Sequence, residues 1–300
     1  MVPCITADGD IAIVTSWKCL VGVAPATPEL GERDMMVVHN DHYSFLFLTQ
    51  PDKTFFFVFF RLQQPFTWPH RQRYTDEDAE TLAASVASHP LCETLVFGEL
   101  WKKRIRGSLI SLEEGVLQHW SHERIVLVGD SVHKVTPNIA LGGNSAMEST
   151  AVLCNHLQRT LASHAGAKVS RATLAKTFAN YQREREGRMK DIMALSSLIT
   201  RVQAWDNILF KGLATWIFPY QPDYKLTNQM AELIRRAPKL DYVPVGKDMF
   251  KGRVKWIDEE EGESIDISSR EKGTTYPGQL FKYFIGVVVA ILIYTCRISS

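Results

Sequence analysis

The 300 residues contain no GxGxxG turn, so the fingerprint that seats a dinucleotide pyrophosphate on a helix N-terminus is not among them. Cysteine is sparse. Cys4, Cys19, Cys92, Cys154 and Cys296 stand far apart with no CxxC pair, which argues against a disulfide framework or a thiolate metal centre. Free, buried thiols in a reducing compartment are the expectation. No N-x-[ST] acceptor occurs, so nothing points to a glycosylated lumenal domain. The N-terminus lacks the basic-then-apolar layout of a signal peptide. Charge of one sign is also lacking: 34 Lys and Arg face 33 Asp and Glu, a formal net charge of +1, which offers no electrostatic footprint for nucleic acid. What is present is ordinary for a globular chain, with 45% hydrophobic and 22% charged residues, enough for one or two domains with a core.

One stretch organises the rest, residues 124–157 (RIVLVGDSVHKVTPNIALGGNSAMESTAVLCNHL). Residues 125–128 are an unbroken apolar run, which predicts a short strand covered on both faces. Gly129-Asp130 ends it, and a loop with Pro137 and the Gly142-Gly143 pair follows. A helix is expected to open at Asn144 or Ser145, with Ser145-x-x-Glu148 as a capping box. Ala146, Ala151, Val152, Leu153, Leu157 and Leu161 give it a broad apolar face. A strand, a carboxylate at its C-terminal tip, a Gly-rich loop and a helix N-terminus make a ligand-binding unit. The open amides and positive dipole end favour a partly negative group. A turn with no ligand is one competing reading. Another is an esterase with Ser131 as nucleophile, but that chemistry needs an Asp-x-x-His pair late in the chain. The sequence has only Asp130–His133 itself.

Residues 1–62 read as mostly β, with strands expected at 11–15, 18–23, 35–38, 43–48 and 55–60. The last two are joined by the turn Gln50-Pro51-Asp52-Lys53. Such an antiparallel sheet can floor a pocket for a large apolar substrate, although Phe55, Phe56, Phe57, Phe59 and Phe60 read first as core. Thr75-Asp76-Glu77-Asp78 is an acidic helix start, and Pro90 stops that helix. Lys102, Lys103, Arg104 and Arg106 read as a solvated face. His119 and His122, beside Glu123, lack a third ligand, so they read as surface histidines, as do His39 and His42, and no metal is expected. Residues 171–199 form a long helix with Phe178, Tyr181, Met189, Ile192 and Met193 on its apolar side. Arg183-Glu184-Arg185-Glu186 reads as its solvated face. Residues 208–220, charged only at Lys211, suit an interfacial or a core helix, and residues 242–256 read as a β-like tail.

The central stretch resembles the second flavin-binding motif of the aromatic-hydroxylase-like FAD-dependent monooxygenases. More narrowly, it looks like the fungal epoxidases of the paxilline type, from indole-diterpene and meroterpenoid pathways. Gly129-Asp130-Ser131, His133-Lys134, Thr136-Pro137-Asn138 and Gly143-Asn144 stand in the register of that family. Ala140-Leu141 departs from its usual Gly-Gln, and Ser149 stands where an Asp often follows the Glu. The resemblance implies that Asp130 bonds a ribityl or ribose hydroxyl of FAD, that Pro137 lies by the isoalloxazine, and that backbone at Gly142, Gly143 and Asn144 meets its pyrimidine edge. It also implies that the N-terminal sheet covers the substrate side of the flavin, with Trp17 about where the family has an active-site aromatic.

The fold class implied is α/β (α+β): the C-terminal part of a Rossmann-like two-domain flavoprotein monooxygenase. Its substrate sheet would occupy residues 1–110, the remaining FAD-binding strand-loop-helix 111–165, and a helical region 166–257. An intact relative would reduce FAD with NADPH and pass one oxygen atom of O2 to a prenylated substrate, giving an epoxide. Since the GxGxxG unit is absent, the expectation is an N-terminally truncated chain that binds FAD poorly, or a non-catalytic remnant.

Residues 258–280 read as an acidic flexible linker. Residues 281–297 read as a membrane anchor. Their apolar run from Tyr283 to Cys296 is about 21 Å long as a helix, short of the ~30 Å hydrocarbon core. Tyr283, Tyr294, Lys282 and Arg297 are the interfacial residues that extend such a span. Arg270, Lys272 and Lys282 before it, against Arg297 after it, place the body in the cytosol, with the endoplasmic reticulum as the expected membrane.

Overall fold

Alternating and aromatic-rich runs build the first half of the chain into strands, as their composition demands. A computed structural model describes residues 13–220, 223–244 and 256–257, which divide into two units interleaved along the chain.

The first unit draws on Met1–Gln118, His133–Gly142 and Ser196–Tyr220. Its centre is a six-stranded antiparallel sheet of β1 (Val14–Pro25), β2 (Met35–Asn40), β3 (Tyr43–Thr49), β4 (Lys53–Thr67), β5 (Arg106–Val116) and β8 (His133–Lys134), in the order β2-β3-β4-β1-β5-β8. The runs at 11–15 and 18–23 prove to be one strand, carried through an irregularity between Thr15 and Trp17. The turn at Gln50–Lys53 closes with Gln50 N–H donating to the Lys53 carbonyl at 2.8 Å. One face of the sheet buries Leu20, Phe45, Phe47, Phe56 and Val58 against α1 (Asp76–Ser85) and α2 (Phe97–Lys102). Helix α1 starts at a reciprocal cap: the Asp78 amide donates to Thr75 Oγ1, and the Asp78 carboxylate accepts the Thr75 amide. At Gly22 no side chain is possible, because a Cβ would stand 2.2 Å from the Phe56 ring and 2.6 Å from the Arg106 carbonyl.

The other face buries Trp17, Cys19, Leu46, Phe59 and Leu112 with Ala204, and carries half-buried Val21, Val37, Leu48 and Phe57. Four of the five phenylalanines thus divide by strand parity, with Phe56 and Phe60 on one face and Phe57 and Phe59 on the other. After residue 204 the apolar stretch 208–220 forms α5 (Ile208–Gly212), a π turn and a 3-10 turn. His39 is half-buried and stacked on Trp205, at 6.4 Å between ring centroids. It is not the surface residue its sequence context implies.

The second unit draws on His119–Val132, Gly143–Leu195 and Gln221–Ser300. It holds the two-stranded hairpin β6 (Ser121–His122) and β7 (Ile125–Val126), nearly all of helix α3 (Gly142–Ser163), most of α4 (Arg171–Gln203) and α6 (Asp223–Ile234). Three readings of this region need correction. The run 125–128 is not a strand covered on both faces: Ile125 is 66% exposed. Only two residues pair, antiparallel, with the segment just before them. Apolar character marked the run as a strand but could not choose its partner, and a two-residue turn at Glu123-Arg124 made the nearest segment available. The apolar face of α3 is narrower than its sequence implies, with Val152 and Leu153 buried and Leu161 57% exposed. The helix also starts at Gly142, so Ser145 lies inside it and is no cap.

Among the described residues no helix is long and apolar enough to cross a membrane. The linker expected at 258–280, the anchor expected at 281–297 and most of the tail expected at 242–256 lie outside the described residues.

Candidate functional site

In the second unit, the turn after β7 is built on Gly129. Its φ of +65° is left-handed, and a Cβ there would stand 3.0 Å from the Ala146 Cβ. Only glycine satisfies both conditions, and the contact seats the turn against the opening of α3. Asp130 follows, exposed, with no hydrogen bond or ion pair to any other described residue. Ser131 turns the other way: its hydroxyl donates to the Val128 carbonyl at 2.8 Å and accepts the Val128 amide at 3.1 Å. That side chain closes a turn, and no base among the described residues bonds to it. Across the turn, Gly143 and Asn144 open the 22-residue α3 and are exposed. A Cβ on Gly143 would meet nothing within 4 Å.

This arrangement fits a flavin nucleotide. A carboxylate with free lone pairs suits vicinal hydroxyls of a ribityl or ribose chain. The bare backbone at Gly143 lets a planar ring edge approach, and the first amides of α3 with their dipole suit a partly negative carbonyl edge.

Helix α4 holds both arms of this turn from behind. Tyr181 donates its hydroxyl to the Leu127 carbonyl at 3.2 Å, and burial pushes its phenol up to about 12. One turn on, Arg185 is 2% exposed at its side chain. Its Nη1 lies 2.9 Å from Glu148 Oε2, its Nε donates to Ser149 Oγ at 3.2 Å, and its Nη2 donates to the Ser145 carbonyl at 3.4 Å. Arg188 adds a bidentate pair, with Nε and Nη2 each 2.7 Å from a Glu148 oxygen. Burial alone would push the Glu148 carboxyl up, yet the Arg188 hydrogen bonds and the charges of Arg188 and Arg185 hold it below the usual range. Burial pulls Arg185 down, but a guanidinium stays charged in any protein setting. The expectation of a solvated 183–186 face therefore fails at Arg185, and Glu148 serves two arginines, not a capping box. The signal was in the spacing: Arg185 falls on the stripe Phe178, Tyr181, Met189, Ile192, where a charge must be paired if the stripe is buried.

In the first unit, the loop after β8 carries Pro137 and Gly142. Thr136 Oγ1 lies 2.6 Å from Ser196 Oγ and 2.7 Å from Thr200 Oγ1. Asn138 Oδ1 accepts from Thr200 at 2.9 Å, and Asn138 Nδ2 donates to Gln203 Oε1 at 2.6 Å. Pro137 is thus set between two residues pinned to the last turns of α4, and nothing in the sequence marked Ser196, Thr200 and Gln203 for this task. Ala140 stands at φ 53° and ψ 27°, a left-handed conformation. That is the position where the resembling family usually has glycine. Lys134 pairs with Glu113. Glu114 beside it is buried, which raises its carboxyl, while Arg201 at 3.7 Å lowers it in part. Trp17 is 1% exposed, opposite Leu112 on β5 and Arg61 on β4, and its indole N–H has no hydrogen-bond partner among the described residues. Of the residues singled out from the sequence, Asp130, Gly143 and Asn144 thus belong to one unit, and Trp17, Pro137 and Gly142 to the other. His119 and His122 are both exposed, and no group of three metal-ligating side chains occurs among the described residues.

Comparison with known proteins bears on the same residues. Residues 21–196, more than half of the chain, match the FAD binding domain family. The chain is 42% identical over 257 residues to the FAD-dependent monooxygenase DEP2 of Alternaria brassicicola, covering 85% of this chain and 48% of that protein. It is 31% identical over 241 residues to the FAD-dependent monooxygenase aurC of Calcarisporium arbuscula, covering 79% and 50%. The chain therefore spans about half the length of the curated relatives it matches. Among solved structures, HpxO of Klebsiella pneumoniae, complexed with FAD and uric acid, superposes with a TM-score of 0.55 at 15% identity, over 73% of this chain and 52% of that one. At that identity the likeness concerns the fold: a mixed α/β flavoprotein architecture with an antiparallel sheet. With its glycine-built turn, its exposed Asp130 carboxylate and the glycine-rich opening of α3 inside the matched span, the chain belongs to the FAD binding domain family.

Proposed function

We propose that this chain serves an FAD-dependent monooxygenase of fungal secondary metabolism, one that epoxidises a prenyl or terpenoid side chain. The observation that carries the reading is the exposed Asp130 carboxylate, without a partner among the described residues, on a turn whose Gly129 packs against Ala146 of α3. Asp130 would hold a sugar hydroxyl, and the α3 amides at Gly143 and Asn144 would face the flavin's pyrimidine edge. The family resemblance also implicates Pro137, on the loop fixed by Thr136 and Asn138. FAD, once bound and reduced by NADPH, supplies the oxygen chemistry, and the protein's part is to orient and to exclude water. The half-buried apolar face of the sheet, with Val21, Leu48 and Phe57, supports a large apolar substrate. The names of the relatives, all FAD-dependent monooxygenases of fungi, support the reaction class.

The test is flavin uptake by the full chain, followed by visible absorbance. Asp130→Ala is expected to weaken FAD binding at least tenfold, about 1.4 kcal/mol. Equal affinity in the two proteins would refute the assignment. Bound flavin without NADPH oxidation in the presence of a prenylated substrate would leave a non-catalytic flavin module. The same proposal puts the apolar run ending at Cys296 in the membrane of the endoplasmic reticulum, body in the cytosol. Val288→Lys then releases the chain from microsomal membranes into the supernatant, because a central lysine costs about 3 kcal/mol of insertion. Unchanged sedimentation would remove the anchor.

A further inference from the structure

Arg185 is the most deeply buried charged side chain among the described residues of the second unit, and apart from a 3.5 Å contact of its Nη2 with Met189 Sδ on its own helix, its hydrogen bonds and ion pair go to the opening of α3. Ser145, Glu148 and Ser149 are spaced i, i+3 and i+4, so they share one face of that helix. Arg185 touches all three, at 3.4, 2.9 and 3.2 Å. Gly143, Asn144 and Met147 are exposed. A guanidinium fork fixes orientation in a way that a flexible ammonium does not. Its charge also lies behind the first turns of α3, in surroundings shielded from water, where screening is weak. Glu148 offsets part of this charge but is itself shared with Arg188.

We propose that Arg185 is a positioning residue for the flavin: it clamps the first turn of α3 and adds positive charge behind the amides that meet the pyrimidine edge, so that the site favours reduced over oxidised flavin. The inference rests on the flavin reading of Asp130 and Gly143. The clamp half stands on the apo geometry alone.

The experiment uses the full chain with Arg185→Met, Arg185→Lys and Glu148→Gln, and two readouts. The first is amide hydrogen exchange of the peptide covering residues 143–149 without any ligand. Arg185→Met and Arg185→Lys are both expected to speed exchange at least tenfold, since neither restores the fork. Wild-type exchange in Arg185→Met would overturn the clamp. The second is the midpoint potential of bound FAD. Arg185→Met is expected to reduce the preference for reduced flavin about tenfold, equal to about 30 mV for a two-electron couple. Arg185→Lys keeps the charge and stays within threefold of wild type. Glu148→Gln removes the offsetting anion and moves the potential upward, the opposite direction. Equal shifts in Arg185→Met and Arg185→Lys, or a downward shift in Glu148→Gln, would overturn the charge role. A wild-type chain that takes up no FAD sinks the functional reading and this second half together, and the exchange readout still decides the first.

Discussion

Ala140 shows what a single residue can reveal. At φ 53° its Cβ is crowded by its own backbone, a conformation that costs an L-residue about 1–2 kcal/mol and glycine almost nothing. The loop holds that shape because Thr136 and Asn138 are tied to Ser196, Thr200 and Gln203. Ala140→Gly is therefore expected to raise stability by about 0.5–1 kcal/mol after allowing for the larger freedom of glycine in the unfolded chain. Chemical denaturation would measure it, and a loss of the usual size for alanine to glycine would contradict the strain. The departure at position 140 was visible in the sequence as an unusual residue. The left-handed backbone that explains it was not, since φ depends on the hydrogen bonds around the loop. Cys19 makes the complementary point: composition alone implied a buried thiol, and the structure places it fully buried, with its ionisation pushed up by that burial.

At the scale of elements, the pairing of α3 with α4 matters most. Glu148 has a carboxyl held below its ordinary value of 4.5. Its contribution to stability is fully present above the unfolded pKa and is lost as pH falls through the lower, folded one. The thermal midpoint should therefore drop on acidification below about pH 4.5, the ordinary carboxylate range. Glu148→Gln should show a shallower acid limb and lower stability at neutral pH, because two arginines lose their partner charge. An acid limb as steep as wild type would show that other carboxylates dominate. The helices themselves were legible: capping at Thr75 and the stripe of Phe178, Tyr181, Met189 and Ile192 are local patterns. The clamp's partners were not, because the stripe puts Arg185 on the buried side without saying which groups arrive to pair it.

For the whole molecule, the six-stranded sheet anchors the core of the first unit, with Phe59 fully buried between Trp17, Leu46, Leu112 and Ala204. Phe59→Ala should cost about 3–5 kcal/mol, the range for a large aromatic removed from a packed core, read from the urea midpoint. A change below 1 kcal/mol would mean that this face is less packed than its burial indicates. The turn after β7 and the opening of α3 likewise need more than their own residues. Both are held by α4, which is separated from Asp130 by a long stretch of chain.

By itself the sequence determined where most of the N-terminal strands and the long helices lie, which glycines a turn requires, and which second flavin-binding motif the chain resembles. Those are local matters of periodicity, steric freedom and register. Only the tertiary structure decided that residues 125–128 fold back on their own predecessor, that Arg185 pairs with Glu148, and that Thr200 and Ser196 fix the Pro137 loop. Each of these depends on which distant group arrives as partner, and pairing energies between remote segments leave no mark on local sequence.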